Sequence, residues 1–249
     1  MPDFFSLVFR KDANPSVPFP GRRAAALLLL FFIPALLSGG SVVVVDSAMS
    51  LEQALDGADP DCPGWILENQ ALIDVVYYGF DGKIHRGQVV ADCRLADDIQ
   101  HVFKAAYDVR FPVRQARPIS VYGWDDFESM RQDNTSAFNY RTIPFTNNLS
   151  RHAYGWAIDI NTRENPYYTK GTVYPEGAQY NPDAPGTLYA GHPVVREFKK
   201  RGWRWGGDWK NKDYQHFDIR LEEKAVSGNR KHYPWPWITH KIKEQEVPE

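Results

Sequence analysis

Cysteine is nearly absent: Cys62 and Cys93 are the only two in 249 residues. Two thiolates are too few for a zinc site built on cysteine, and neither has a histidine beside it. A charge excess is missing as well. The formal net charge is -2, and no basic run lies in the part expected to fold, so nothing draws the chain toward nucleic acid. There is no internal repeat and no low-complexity segment. Hydrophobic content of 43% with 24% charged residues is ordinary for a globular protein and excludes the disordered and fibrous classes.

Long apolar runs are confined to the N-terminus. Arg22 and Arg23 precede "AAALLLLFFIPALL", Ala24 to Leu37, and an apolar stretch resumes at Val42 to Val45. Basic residues before an apolar run match a secretory signal, and a run counted through Val45 is long enough to span a bilayer. A cleaved signal peptide over 24–45 and an uncleaved anchor both remain open. No cysteine follows the run, which argues against a lipoprotein anchor. Either way the arginines stay cytoplasmic and the remainder is exported. In an oxidising compartment an even cysteine count reads as a disulfide, so Cys62 and Cys93 are expected to pair.

The resulting organisation is a cytoplasmic segment over 1–23, the signal or anchor, a polar connector over 46–60, one globular domain over 61–240 and a polar tail over 241–249. Within the domain, "LIDVVYYGFDGKIHRGQVV" reads as two strands around a turn at Asp81-Gly82. Ile99, Val102, Phe103 and Ala106 fall at helical spacing behind Asp97 and Asp98. "PISVYGW" reads as a strand, and Pro193 to Arg201 as a helix stopped by Gly202. Between them, Thr162 to Gly191 is rich in proline and glycine and reads as an irregular surface loop. This order predicts an α+β domain with a central, mainly antiparallel sheet and flanking helices. Aromatic residues reach 14%, and Trp203, Trp205, Trp209, Trp235 and Trp237 crowd the C-terminal fifth, where they suit a core with a share left to line a groove.

Two alternating stretches carry the chemistry. In "WAIDI", Trp156, Ile158 and Ile160 share one face and Ala157 and Asp159 the other. In "YQHFDIRL", Phe217, Ile219 and Leu221 face away from His216, Asp218 and Arg220. His152 precedes the first strand, and Gly155 can supply a sharp turn that folds it back. If the strands are neighbours, His152, Asp159 and His216 converge. Two imidazoles and one carboxylate leave a fourth position open, as catalytic zinc sites do. Asp213 would then stand near the metal without binding it, as a general base does.

Ser150, His152, Gly155, Ala157 and Asp159 fit the pattern S-x-H-x-x-G-x-A-x-D, and "GWRWGGDWKNKDYQHF" fits a second motif of the same family. The chain resembles the zinc D-alanyl-D-alanine carboxypeptidases of the VanY type, in a group that includes lysostaphin-like peptidases and the hedgehog signalling domain. "SMRQDNTSAFNYR" and "FDGKIHRGQVV" are also similar, so the likeness runs from about Val75 to Leu221. The resemblance implies one zinc ion held by His152, Asp159 and His216. It implies Asp213 as the base that activates the zinc-bound water and then protonates the leaving amine, and Arg141 as the cation that polarises the scissile carbonyl. Ser150 and Ser136 are implied as substrate contacts. Asp218 either orients His216 or is simply solvated. Tyr140 departs from relatives that carry cysteine there, and Asp213 from those that use glutamate.

The implied activity is removal of a terminal D-alanine from peptidoglycan stem peptides by an exported, monomeric enzyme. Cleavage inside the stem, as endolysin-type peptidases perform, is the nearest alternative. A non-catalytic zinc-binding wall module would be expected to lack Asp213 or Arg141. A non-haem iron oxygenase usually places its carboxylate two residues after the first histidine and would leave Asp213 idle.

Overall fold

The computed structural model describes residues 42–143, 146–228, 230–237 and 243–244. All of the described residues lie in one compact unit, Gly39–Glu249. Its elements are β1 (Val42–Val45), α1 (Leu51–Leu55), α2 (Gly64–Asn69), β2 (Gln70–Tyr78), β3 (Ile84–Asp92), α3 (Ala96–Asp108) and α4 (Asp126–Arg131). After these come β4 (Ala157–Asp159), β5 (Tyr167–Thr169), β6 (Thr172–Tyr174), α5 (Pro193–Lys200), β7 (Arg204–Trp205), β8 (His216–Asp218), β9 (His232–Tyr233) and β10 (Lys243–Glu244).

The expected hairpin is present as β2 and β3, paired antiparallel from Gln70↔Asp92 to Tyr78↔Ile84. It is the longest ladder of the fold, but the sheet around it is mixed. In the order β10-β1-β3-β2-β9, the other three pairings are parallel, which corrects the expected antiparallel dominance. A second sheet, β4-β8-β7, is antiparallel throughout, and β5-β6 forms a separate ribbon.

One core joins the two larger sheets. Ile73, Val75 and Tyr77 of β2 pack with Ile99, Val102 and Phe103 of α3, and the same cluster holds Phe198 of α5 and Phe217 of β8. Phe198 and Phe217 stack with ring centroids 3.8 Å apart. Losing either ring would cost about 3–5 kcal/mol. The helices over Ala96–Asp108 and Pro193–Lys200 match their sequence signals. His192 caps the second through its side chain, with proline at the next position.

Several expectations are corrected. "PISVYGW" is not a strand: Ile119–Tyr122 form a short 3-10 helix, closed by Gly123 at φ 60°. Its β-favouring residues are bracketed by Pro118 and Gly123, leaving too little chain for a ladder. The stretch after Thr162 contains the β5-β6 ribbon inside otherwise irregular chain. Val42–Val45 belong to the sheet, as β1, with Val43 buried. The region 46–60 contains α1, which starts with a capping box between Ser50 and Gln53. Ala24–Leu37, the preceding segment expected to be cytoplasmic, His240 and most of the tail lie outside the described residues. Among the described residues no helix is long and apolar enough to cross a membrane.

Cys62 and Cys93 are free thiols, not a disulfide. Each is buried in its own local turn. Cys62 joins a small apolar cluster with Ile66, Leu72 and Phe138. Cys93 follows β3, with its sulfur 4.0 Å from Asp92 Oδ1. Burial, helped by Asp59, pushes the Cys62 thiol up to about 11, and burial beside Asp92 raises that of Cys93. Thiol titration of unfolded, never-reduced protein should therefore find both thiols, while the native protein reacts at least about tenfold more slowly. An intact mass lower by two hydrogens would contradict the free pair.

Candidate metal centre

The site is assembled by three short pieces of chain. Arg151–Tyr154 form a 3-10 turn whose first residues are capped by Ser150 Oγ, which accepts from the His152 amide at 3.2 Å. Gly155 ends that turn at φ 70°. A Cβ there would lie 2.3 Å from Gln70 Oε1 and 2.7 Å from the Asp92 amide nitrogen, so both conformation and space demand glycine. The chain then enters β4, and Asp159 lies directly opposite His216 of β8. On its other side Asp159 exchanges backbone hydrogen bonds with Ser136, at 3.2 and 3.0 Å. The strand neighbourhood that the alternating patterns require is therefore present.

His152, Asp159 and His216 are all buried, and one donor atom from each lies within 4.8 Å of the others. His216 Nδ1 is 2.9 Å from Asp159 Oδ1 and 3.2 Å from His152 Nε2, which is 3.3 Å from Asp159 Oδ2. His152 Nδ1 sits 2.6 Å from the Ala137 carbonyl oxygen, an acceptor only. The proton of the neutral imidazole must therefore be on Nδ1, which leaves the Nε2 lone pair facing the other two donors. Burial opposes the charged form of His152, but Asp159 outweighs it and raises the imidazole's affinity for protons. Burial also works against the Asp159 carboxylate, yet His152 and His216 hold it far below the usual range. Two borderline nitrogen donors and a hard oxygen, converging in an enclosed place, suit zinc. The residues present fit that ion.

Asp213 stands on the segment leading into β8. Its backbone pairs with Tyr167 and its carbonyl accepts from the His216 amide at 3.3 Å. Gly206 lets this segment close in: a Cβ there would lie 2.4 Å from the Asp213 carbonyl oxygen. The carboxylate Oδ1 of Asp213 is enclosed and has no hydrogen-bond partner. Burial lifts its pKa to about 7, with Asp159 and Asp126 adding to the rise and His216 and Arg141 opposing it.

Arg141 is held by Asp126 of α4, with Nη2 2.9 Å from Oδ2. Its Nε is enclosed without an acceptor. Ser150 is buried and committed to its turn, whereas Ser136 is half-buried and makes backbone pairings with Asp159. Asp218 does not reach His216: the separation is 3.9 Å, and both of its oxygens accept from Arg204. Trp203, Trp205 and Trp235 are buried and Trp237 packs beside them, while Trp209 lies 5.4 Å from the His216 ring. Asp126, the Ala137 carbonyl and Arg204 were not foreseen. No local pattern marks them, because each meets its partner only through the fold.

Residues 145–219 match a family model described as D-alanyl-D-alanine carboxypeptidase. The matched span contains His152, Asp159, Asp213 and His216; Ser136 and Arg141 precede it. It covers less than a third of the chain, and supports that peptidase family broadly. No curated protein and no solved structure matches the chain.

The raised pKa of Asp213 has a consequence for stability. A carboxyl that holds its proton more tightly when folded stabilises the fold fully below its unfolded pKa, about 3.9. That contribution is lost as pH rises through about 7. In metal-free protein, Asp213→Asn should therefore gain stability over the original chain between pH 5 and 8, by on the order of 1–2 kcal/mol. Urea midpoints of chelator-treated samples measure this, and parallel pH profiles would contradict it.

Proposed function

We propose that this chain is a zinc peptidase of the VanY-like type that removes the terminal D-alanine from bacterial cell-wall stem peptides. The observation that carries the reading is the enclosed His152, Asp159 and His216 cluster, with the unpartnered Asp213 carboxylate beside it, inside the span that matches the peptidase family. A zinc ion held by the three residues would supply Lewis acidity that makes water nucleophilic near neutral pH.

The chain's own groups supply the rest. Asp213, with its pKa near 7, can take a proton from the attacking water and return it to the departing amine. A carboxylate of ordinary acidity would be a weaker base for the first transfer. Arg141 supplies the cation. Asp126 fixes its guanidinium, which would meet the negative charge building on the scissile carbonyl oxygen. Ser136, beside Asp159, is a candidate contact for the substrate backbone. Ser150 serves the reading better as the cap that presents His152. Peptidoglycan lies outside the cytoplasm, so the proposal includes export directed by the N-terminal apolar segment and action as a monomer.

Three variants separate the roles. His216→Ala should lose zinc and activity together, and unchanged zinc content would refute its place as a ligand. Asp213→Asn should keep its zinc while kcat falls about 10²–10⁴-fold. Arg141→Ala should lower kcat by about 10²-fold with little change in zinc content. Equal loss of both would assign Arg141 a structural role. Mass spectrometry of defined muropeptides, with and without chelator, tests the whole reading: a zinc-dependent loss of one D-alanine supports it. A product cut inside the stem would make the chain an endopeptidase, and no product would refute the peptidase reading.

A further inference from the structure

The β5-β6 ribbon stands against the segment that carries Asp213. Tyr167 pairs with Asp213, and the Tyr168 amide donates to the Lys212 carbonyl at 2.7 Å. On its other side the ribbon reaches α4, where the Phe127 and Tyr174 rings are 5.8 Å apart. That helix carries Asp126, the partner of Arg141. The ribbon therefore bridges the two segments that hold the proposed base and the proposed cation.

Between the ribbon's tip and residues 210–212 lies an open cavity of about 410 Å³, within the size range of small-ligand sites. Lys170, Lys210 and Lys212 line it together with the Asn211 amide, and no acidic residue does. Lys212 Nζ is anchored to the Gly207 carbonyl at 2.9 Å. Lys170 and Lys210 are exposed and make no ion pair or hydrogen bond among the described residues. Five other lysines differ. Lys83, Lys104, Lys199, Lys200 and Lys224 each sit beside a carboxylate. Three like charges around one hollow repel one another, and an anion entering it would relieve that repulsion.

We propose that this cavity is an anion subsite that receives a carboxylate of the peptide substrate, with Lys170 and Lys210 as its charge partners and Lys212 as its fixed donor. The inference rests on the peptidase reading and deepens it, since the hollow adjoins the Asp213 segment. A peptide stem offers two sources of the same chemistry, a C-terminal carboxylate and an acidic side chain. Three lysines around one local hollow suit such a small group better than an extended anionic polymer, which would need a continuous basic track.

The test is the double variant Lys170→Gln/Lys210→Gln in the zinc-loaded full chain, with unchanged thermal midpoint and zinc content as its controls. KM for a stem peptide should rise about tenfold, with kcat within about twofold of the original. Amidating the recognised carboxylate should weaken the original protein by a similar factor and leave the variant nearly unaffected. Separate peptides amidated at the C-terminus or on the side chain identify which carboxylate is held. Equal losses in both proteins, or a fall in kcat at constant KM, would overturn the subsite.

Peptide binding to zinc-loaded Asp213→Asn, followed by calorimetry, keeps the two readings apart. If no peptide is cleaved by the original protein, lysine-dependent and carboxylate-dependent binding would still uphold the subsite while the peptidase reading fell. Binding unaffected by the lysine changes would refute the subsite alone. A lysine-dependent affinity for anionic wall polymer, with none for the peptide carboxylate, would also refute it.

Discussion

The close approach of Gly155 to the end of the β2-β3 hairpin is the constraint on which the site depends. Its carbonyl accepts from the Asp92 amide, and its missing side chain leaves room for Gln70 and the Asp92 backbone. Only a left-handed residue without Cβ can reverse the chain there. That reversal places His152 above the strand it precedes and brings it to Asp159 across six intervening residues. Asp92 reinforces the junction, accepting from Arg94 and from the Trp156 indole. The large sheet is thus tied directly to the turn that presents the first proposed ligand.

Burial then decides the chemistry. The three converging donors share an enclosure in which an unpaired charge would be costly, and each is oriented before any ligand arrives. His152 is fixed by Ala137 and Ser150, and Asp159 and His216 by cross-strand register. The same low-polarity surroundings act in opposite senses on two carboxyls. Asp159 is held ionised by two imidazoles, whereas burial lifts Asp213 toward neutrality. This divergence suits two residues of one type to the two roles proposed for them, metal ligand and proton carrier.

The β5-β6 ribbon extends that logic outward. Its backbone is joined to the Asp213 segment, so a group held by the cavity lysines is positioned through the same piece of chain as the proposed base. Distal binding converts into orientation at the reacting bond only when such a connection is stiff. Two strands hydrogen-bonded to one another and to residues 212 and 213 provide it.

Local pattern was sufficient for much of the fold and for the proposed ligands. The alternation in "WAIDI" and "YQHFDIRL", the Asp81-Gly82 turn and the helical spacing before Ala106 are all short-range signals, set by side-chain period and backbone sterics. "PISVYGW" shows the limit: its β-favouring residues are outweighed by the proline and glycine around them. The cysteines show another limit, since their count and presumed compartment said nothing of the separate turns that enclose them. By itself, then, the sequence determined which residue types recur at which period, and hence the strands bearing Asp159 and His216 and the turn at Gly155. Tertiary structure alone decided the register that sets Asp159 opposite His216, the pairing of Arg141 with Asp126, the capture of Asp218 by Arg204 and the raised pKa of Asp213. Each of these depends on desolvation or on contact between residues distant in the chain, and neither quantity exists until the chain has folded.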